Sequence, residues 1–390
     1  MIMTKKWFIY SIAALAMVCS LTACSQGPAT KTDSTQTKQV VKPVVKKYYY
    51  NDVALYLAGM MPDTSGVFNK LVKKSQWKLY SNSFDTMWKG VEKNSLAKVR
   101  KWTDTALAEV HKSTKTLFYP FSGPDFLYAN TIFPEANKYI LFGLERTGSI
   151  PNVAAMTDQR MNSLFVSINK SLTEILKLSF FITKEMNSNL NTQDVDGVLP
   201  VIMLFMARTG NTVQNIKNAK IGPDGKIIVA DTFITYKGGG WNRGVEITFS
   251  PAGKDTVTKK LYYFPVDFTD SALNVNPSCQ KFLQAVDTNC TTLVKSASYL
   301  MHYPIFSYIR NIVLKKSKFE LQDDSGISYK FFDKTKWNIQ LFGTYERPIP
   351  VFSYAYQADL KAAFDKGAKP YNFKYGYGNG RNIMLSTRIK

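Results

Sequence analysis

Two places in the sequence gather chemistry-bearing residues at short spacing. "QDDSG" (Gln322–Gly326) sets Asp323 and Asp324 beside Ser325 and a glycine. Adjacent carboxylates with a hydroxyl suit a cation site or acid–base work, and the same composition also describes a plain polar turn. "FSGPD" (Phe121–Asp125) offers Ser122 and Asp125 in a second Ser-Gly turn. A hydrolase triad needs an imidazole between nucleophile and carboxylate, and the chain holds 2 histidines, His111 and His302. His302, in "SYLMHYPIFSYIR" just before Pro304, is the candidate base, with Ser122 or Ser325 as nucleophile. No Gly-x-Ser-x-Gly elbow accompanies them, and an imidazole near a helix end is often only a capping or packed residue. With so few histidines and no Cys-x-x-Cys, a catalytic zinc site is close to excluded. Carboxylates alone can hold calcium or magnesium, but no metal or other cofactor is expected.

The first of these turns sits in "YPFSGPDFLYANTIFPEANKYILFGLE" (Tyr119–Glu145), which reads as strand, tight turn, helix, strand. That is the outline of a nucleotide-binding unit, with Glu145 where a ribose-binding acid would stand. The dinucleotide fingerprint needs three glycines to bring backbone against a pyrophosphate. Here Gly123 stands alone, and Pro124 removes an amide donor where donors must point. The reading that survives is structural: Asp125 caps the helix and Ser122 bonds locally. "KGGGWNRG" reads as a hairpin tip, on which Trp241 and Arg243 would suit contact with a polysaccharide or a membrane.

The elements around these turns fall into blocks. Helical patterns fill residues 48–112, then "TLFYPF" is a buried strand. Helices resume over 156–178 and 194–208, where "VLPVIMLFMA" has the length of a core helix rather than of a membrane span. Strands dominate 216–268, with "GPDG" as a turn between them. Helices return over 279–314, broken at Pro304, before strands near 318–322 and 337–345 and a last helix ended by Gly367. Segregated blocks of this kind predict an α+β or mixed α/β fold: a helical N-terminal segment and a mixed sheet. "FSGPD…NKYILFGLERTGSIP" and "DDSGISY…KWNIQLFGTYERPIP" echo each other, as a duplicated strand-turn-strand unit would with both strands in one sheet.

The N-terminus reads differently. Lys5 and Lys6 precede an apolar run over 7–18 and then "LTACSQ", the order of a secretory signal. The run falls short of the roughly 20 apolar residues a spanning helix needs. "LTAC" resembles the lipobox of bacterial lipoproteins, which implies acylation of Cys24 after removal of residues 1–23. No Asp follows Cys24, and by the sorting rule of enteric bacteria Ser25 points to the outer membrane. Acyl chains give roughly 0.8 kcal/mol per buried methylene, so two or three hold a protein firmly. Residues 24–47 lack aromatic side chains and read as a disordered tether, leaving 48–390 as a single globular domain.

Cys19 leaves with the signal and Cys24 is taken by lipid, so Cys279 and Cys290 remain of the 4 cysteines. In an oxidising compartment they are expected to pair as a disulfide. On one continuous helix they would stand about 16 Å apart, so pairing requires the chain to turn at "DTN" (Asp287–Asn289). A formal net charge of +21 draws an exported protein to anionic lipids or envelope polymers. Export argues against nucleic acid, and the lysines are dispersed rather than gathered in one stripe.

"YPFSGPDFLYA", "ILFGLE", "QDDSGISY" and "LFGTYERPI" are similar to stretches of a family of uncharacterised bacterial exported proteins. That resemblance implies one folded unit and carries over no site residue. The sequence therefore leads to an envelope lipoprotein in a non-catalytic binding or structural role. The alternative is an envelope hydrolase using the Ser-Gly turns, the paired Asp residues and His302.

Overall fold

Strands that lie in a parallel sheet with both faces covered must be apolar at every position rather than at alternate ones. "TLFY", "YILF" and "LYYF" are such runs, and each becomes a central strand. The computed structural model describes residues 48–178, 195–233, 242–377 and 382–389. Cys24, the tether and Trp241 lie outside the described residues. The strands are β1 (Thr116–Tyr119), β2 (Lys138–Gly143), β3 (Thr212–Ile221), β4 (Ile227–Val229), β5 (Arg243–Ser250), β6 (Lys259–Pro265), β7 (Cys290–Val294), β8 (Ser317–Gln322), β9 (Trp337–Gly343) and β10 (Asn382–Arg388). They form one 10-stranded sheet in the order β4-β3-β5-β6-β2-β1-β7-β8-β10-β9. From β6 to β8 neighbouring strands are parallel, and antiparallel strands extend the sheet on both sides. The mixed α/β expectation holds.

Alternate residues of the central strands feed opposite layers. Leu117, Tyr119, Tyr139, Leu141 and Leu293 join the N-terminal helices and the helix Leu199–Arg208 in one core. Phe118, Ile140, Phe142 and Val294 join the helices Pro277–Ala285 and Ser307–Lys316 in the other. Residues 199–207 are buried on every side, which explains their unbroken hydrophobicity. No helix of the described residues is long and apolar enough to cross a membrane. At the end of that helix Arg208 pairs with Asp85 at 2.6 Å, donates to the Ala58 carbonyl at 2.7 Å and lies 4.6 Å from the Phe84 ring centre.

The structure corrects the reading in several places. The stretch read as helical over 279–314 contains β7, a short strand set beside β1 at the centre of the sheet. β10, which no pattern in the sequence announced, inserts between β8 and β9. The echo is accordingly only partial. β1 and β2 are adjacent and parallel around a helix (Phe126–Ile132), whereas β8 and β9 are separated by β10.

The expected disulfide is absent: Cys279 and Cys290 are both free, buried thiols. The helix Pro277–Ala285 carries the chain about 9 Å beyond Cys279 at 1.5 Å per residue before the turn begins. The turn is where the sequence placed it, with Asn289 at φ +72°. It delivers Cys290 onto β7, beside Thr292 and the Lys316 carbonyl, and not back to Cys279.

Candidate functional site

Parallel strands deliver their carboxyl ends to one edge of a sheet. Here Tyr119, Gly143, Pro265, Val294 and Gln322 end together on that edge. From β1 the chain winds outward through β2 to β6, and it resumes with β7 on the other side of β1. The loops leaving β1 and β7 must therefore diverge, and a crevice opens between them. Ligands of open α/β sheets bind at such a reversal of strand order.

A cavity of about 290 Å³ occupies this crevice. The turn after β1 forms one wall. Ser122 and Gly123 both donate their backbone N–H to the Phe142 carbonyl, and the Ser122 hydroxyl lies 2.9 Å from the carbonyls of Phe142 and Gly123. Asp125 caps the following helix by accepting from the Tyr128 N–H at 3.0 Å, as the sequence implied. Opposite this turn, β2 ends at Gly143. A Cβ there would stand 2.5 Å from the Glu145 carboxylate and 3.0 Å from the Gly123 Cα. Only glycine lets the two turns approach so closely.

The loop after β7 forms the second wall. Ser296, Ser298 and Tyr299 hold left-handed backbone, with φ of +53°, +52° and +57°. Each such conformation costs a non-glycine residue on the order of 1 kcal/mol, so the surroundings must hold the loop in place. The carboxylate of Asp323 does so by accepting from the Ser296 N–H at 3.2 Å, from the Ser325 hydroxyl at 2.5 Å and from the Tyr377 N–H at 3.3 Å. Ser325 Oγ in turn accepts from the Ala297 N–H at 2.8 Å. Asp324 accepts from the Tyr299 hydroxyl at 2.5 Å and from Asn382 at 2.9 Å.

Lys295 ties the walls together. Its ammonium pairs with Asp125 at 2.9 Å, with the two side chains 1% and 2% exposed, and lies 4.3 Å from the Tyr128 ring centre. Asp125 also accepts from the Tyr119 hydroxyl at 3.1 Å. Burial, with the Asp125 charge second, pushes the Tyr119 phenol well above its usual range.

Burial is likewise the main influence on the carboxyls behind the loop. It raises Asp323, and it raises Asp324 to about 7 with the neighbouring Asp323 charge as second cause. It pushes Glu320 well above the carboxylate range, again with Asp323 adding to the rise. Donors pull the other way on the Asp pair. The Ser325 hydroxyl and the Ser296 N–H stabilise charged Asp323, and Tyr299 and Asn382 stabilise charged Asp324.

The residues singled out in the sequence are thus divided among three places. Ser122 and Asp125 line the cavity. Asp323, Asp324 and Ser325 are buried behind the β7 loop and brace it. His302 packs against the Tyr299 ring at 5.2 Å, beside Asp324, and lines another hollow with Tyr303, Lys330, Tyr354 and Asp359; burial lowers its pKa to about 4. Neither serine hydroxyl meets an imidazole, and His111 is bonded to the Ile132 carbonyl at 2.7 Å. Among the described residues no group of three or more His, Cys, Asp or Glu side chains is placed to hold a metal ion.

Sequence reasoning missed Lys295, Ser296 and Asp267, all of which line the cavity. Each lies within two residues of a strand end, but Lys295 and Ser296 follow a strand that had been read as helix. No family model matches the chain, and neither a curated protein nor a solved structure matches it.

Proposed function

We propose that the chain is a cell-envelope lipoprotein, anchored through Cys24, whose body binds a small organic ligand in the crevice between β1 and β7 without transforming it. One observation carries this reading. The cavity coincides with the reversal of strand order, under a loop held in left-handed backbone at three non-glycine sites within four residues. Strain of this kind persists where the surroundings over-determine it, which is typical of ligand clamps, and enclosed mixed-polarity cavities are the usual ligand sites. The anchor rests on "LTAC", and Ser25 favours the outer membrane in a Gram-negative cell. A net charge of +21 favours anionic lipids or envelope polymers as neighbours of the outer surface, with no role for nucleic acid.

The hydrolase alternative has less support. Ser122 donates to carbonyls and Ser325 to the buried Asp323 carboxylate, so neither hydroxyl is paired with an imidazole. His302 is aligned with a different hollow.

The test exploits Leu144, which is 55% exposed and lines the cavity. Leu144→Trp narrows the cavity and leaves the core untouched. Full-length protein purified from its membrane is extracted and its small molecules are compared by mass spectrometry with those of the variant. A compound carried by the wild type and lost from Leu144→Trp supports the reading; identical extracts contradict it.

A further inference from the structure

Resting on the ligand-binding reading above, we infer that the cleft selects an organic cation, an alkylammonium head group held between phenylalanine rings and the Asp267 carboxylate. The charges in the cavity are the starting point. Lys295 is the basic side chain among its described lining residues, and Asp125 takes up its ammonium at 2.9 Å. With the Tyr128 ring on another side, that ammonium has little capacity left for an anionic ligand. The pair cancels, and the acidic lining residues that remain are Asp267 and Glu145.

Asp267 is the open group. Its Oδ1 accepts from the Thr269 N–H at 2.8 Å, and its Oδ2 has no hydrogen-bond partner among the described residues. The carboxylate stands on the loop after β6, partly exposed. The Ser296 hydroxyl, on the opposite wall, is buried and likewise without a partner among the described residues.

Between these groups the walls are aromatic. Phe121 and Phe268 lie 5.6 Å apart between ring centres at 79°, and Phe121 and Phe306 lie 6.2 Å apart at 72°. All three rings line the cavity. Ring faces carry negative potential, and an ammonium within about 6 Å of a centroid gains roughly 0.5–2 kcal/mol, more as it is desolvated. An uncharged ligand gains no charge–charge attraction from Asp267, and an anion meets repulsion from both. The cleft therefore has a preference opposite to that of the chain as a whole, whose formal net charge of +21 attracts anions.

A charge series of one shape tests this. Full-length protein in detergent is titrated by calorimetry with choline, with its uncharged carbon analogue 3,3-dimethylbutan-1-ol, and with 3,3-dimethylbutanoate. The expected result is that choline binds about tenfold more tightly than the alcohol, equivalent to about 1.4 kcal/mol, and that the acid does not bind. Asp267→Asn lowers choline affinity about tenfold and leaves the alcohol unchanged, while Leu144→Trp abolishes both. Equal or tighter binding of the alcohol or the acid overturns the cation assignment and leaves the cleft standing as a ligand site. Absence of binding by all three also overturns the assignment, and the extraction experiment then decides separately whether the cleft binds anything.

Discussion

The Lys295 ammonium and the Asp125 carboxylate meet at 2.9 Å with both side chains almost wholly buried, joining the loop that leaves β7 to the turn that leaves β1. The pair bridges the point where the strand order reverses, and it sets the width of the crevice. Removing one partner of a buried pair leaves an uncompensated charge and costs about 3–5 kcal/mol. Lys295→Met is expected to lower unfolding stability in urea by that amount. Lys295→Met with Asp125→Asn should recover part of the loss but not all, because Asn keeps the cap on Tyr128 and loses charge. A cost below about 1 kcal/mol for Lys295→Met would remove the pair from this account.

Stability should depend on pH in two opposing ways. The Asp324 carboxyl is raised to about 7 by burial and by Asp323, against roughly 3.9 in an unfolded chain. Between these values the folded state holds more protons, so this group makes stability fall as pH rises from about 4 to 7. The His302 imidazole is lowered to about 4 by burial, against about 6.5 unfolded. There the unfolded state holds more protons, so its contribution rises with pH over about 4 to 6.5. Asp324→Asn removes the first slope. Urea titrations of the wild type and this variant should show a stability difference that shifts steadily in the variant's favour from pH 4 to pH 7. A constant difference across that range would contradict the assignment.

Arg208 should matter more than its salt bridge suggests. Its partner Asp85 is 47% exposed, and exposed pairs contribute about 0–1 kcal/mol. The bond to the Ala58 carbonyl and the contact with Phe84 are the stronger anchors. Asp85→Ala is expected to cost under about 1 kcal/mol. Arg208→Ala should cost about 2 kcal/mol or more, since it leaves a carbonyl unpaired and removes a ring contact. Equal costs for the two variants in denaturant melts would show the salt bridge to be the principal anchor instead.

Cys279 and Cys290 should behave as inert thiols. Burial pushes them up to about 12 and about 11, and the thiolate is the reactive form. Alkylation at pH 8 followed by peptide mass spectrometry should find both unmodified in the native protein and both modified after unfolding without reductant. A peptide pair linked through these residues would restore the disulfide that the sequence led us to expect.

Much of the architecture was legible before the structure. Continuous apolar runs marked β1, β2 and β6 because strands covered on both faces leave no polar side to alternate. The Asp125 cap was legible because capping depends on residues within one turn. β7 was not. "CTTLV" has 5 residues between two helical stretches, and only its place beside β1 makes it a strand. The cleft was hidden with it, since Lys295 and Ser296 gain their meaning from that placement. Asp323 and Asp324 were noticed for the right reason, as carboxylates at a strand end. Their work is structural because the β7 loop, distant in sequence, brings the Ser296 amide to Asp323 and the Tyr299 hydroxyl to Asp324. The alternation of β10 was likewise too weak to distinguish a strand between β8 and β9.

The most direct test of the central claim is a crystal structure of the full-length protein purified from its own membrane, examined for a bound molecule. The account predicts density for a small ligand in the crevice between β1 and β7, against Phe121 and Phe306 and within hydrogen-bond reach of Asp267. A ligand seated instead in the hollow beside His302, with the crevice holding only water, would contradict it.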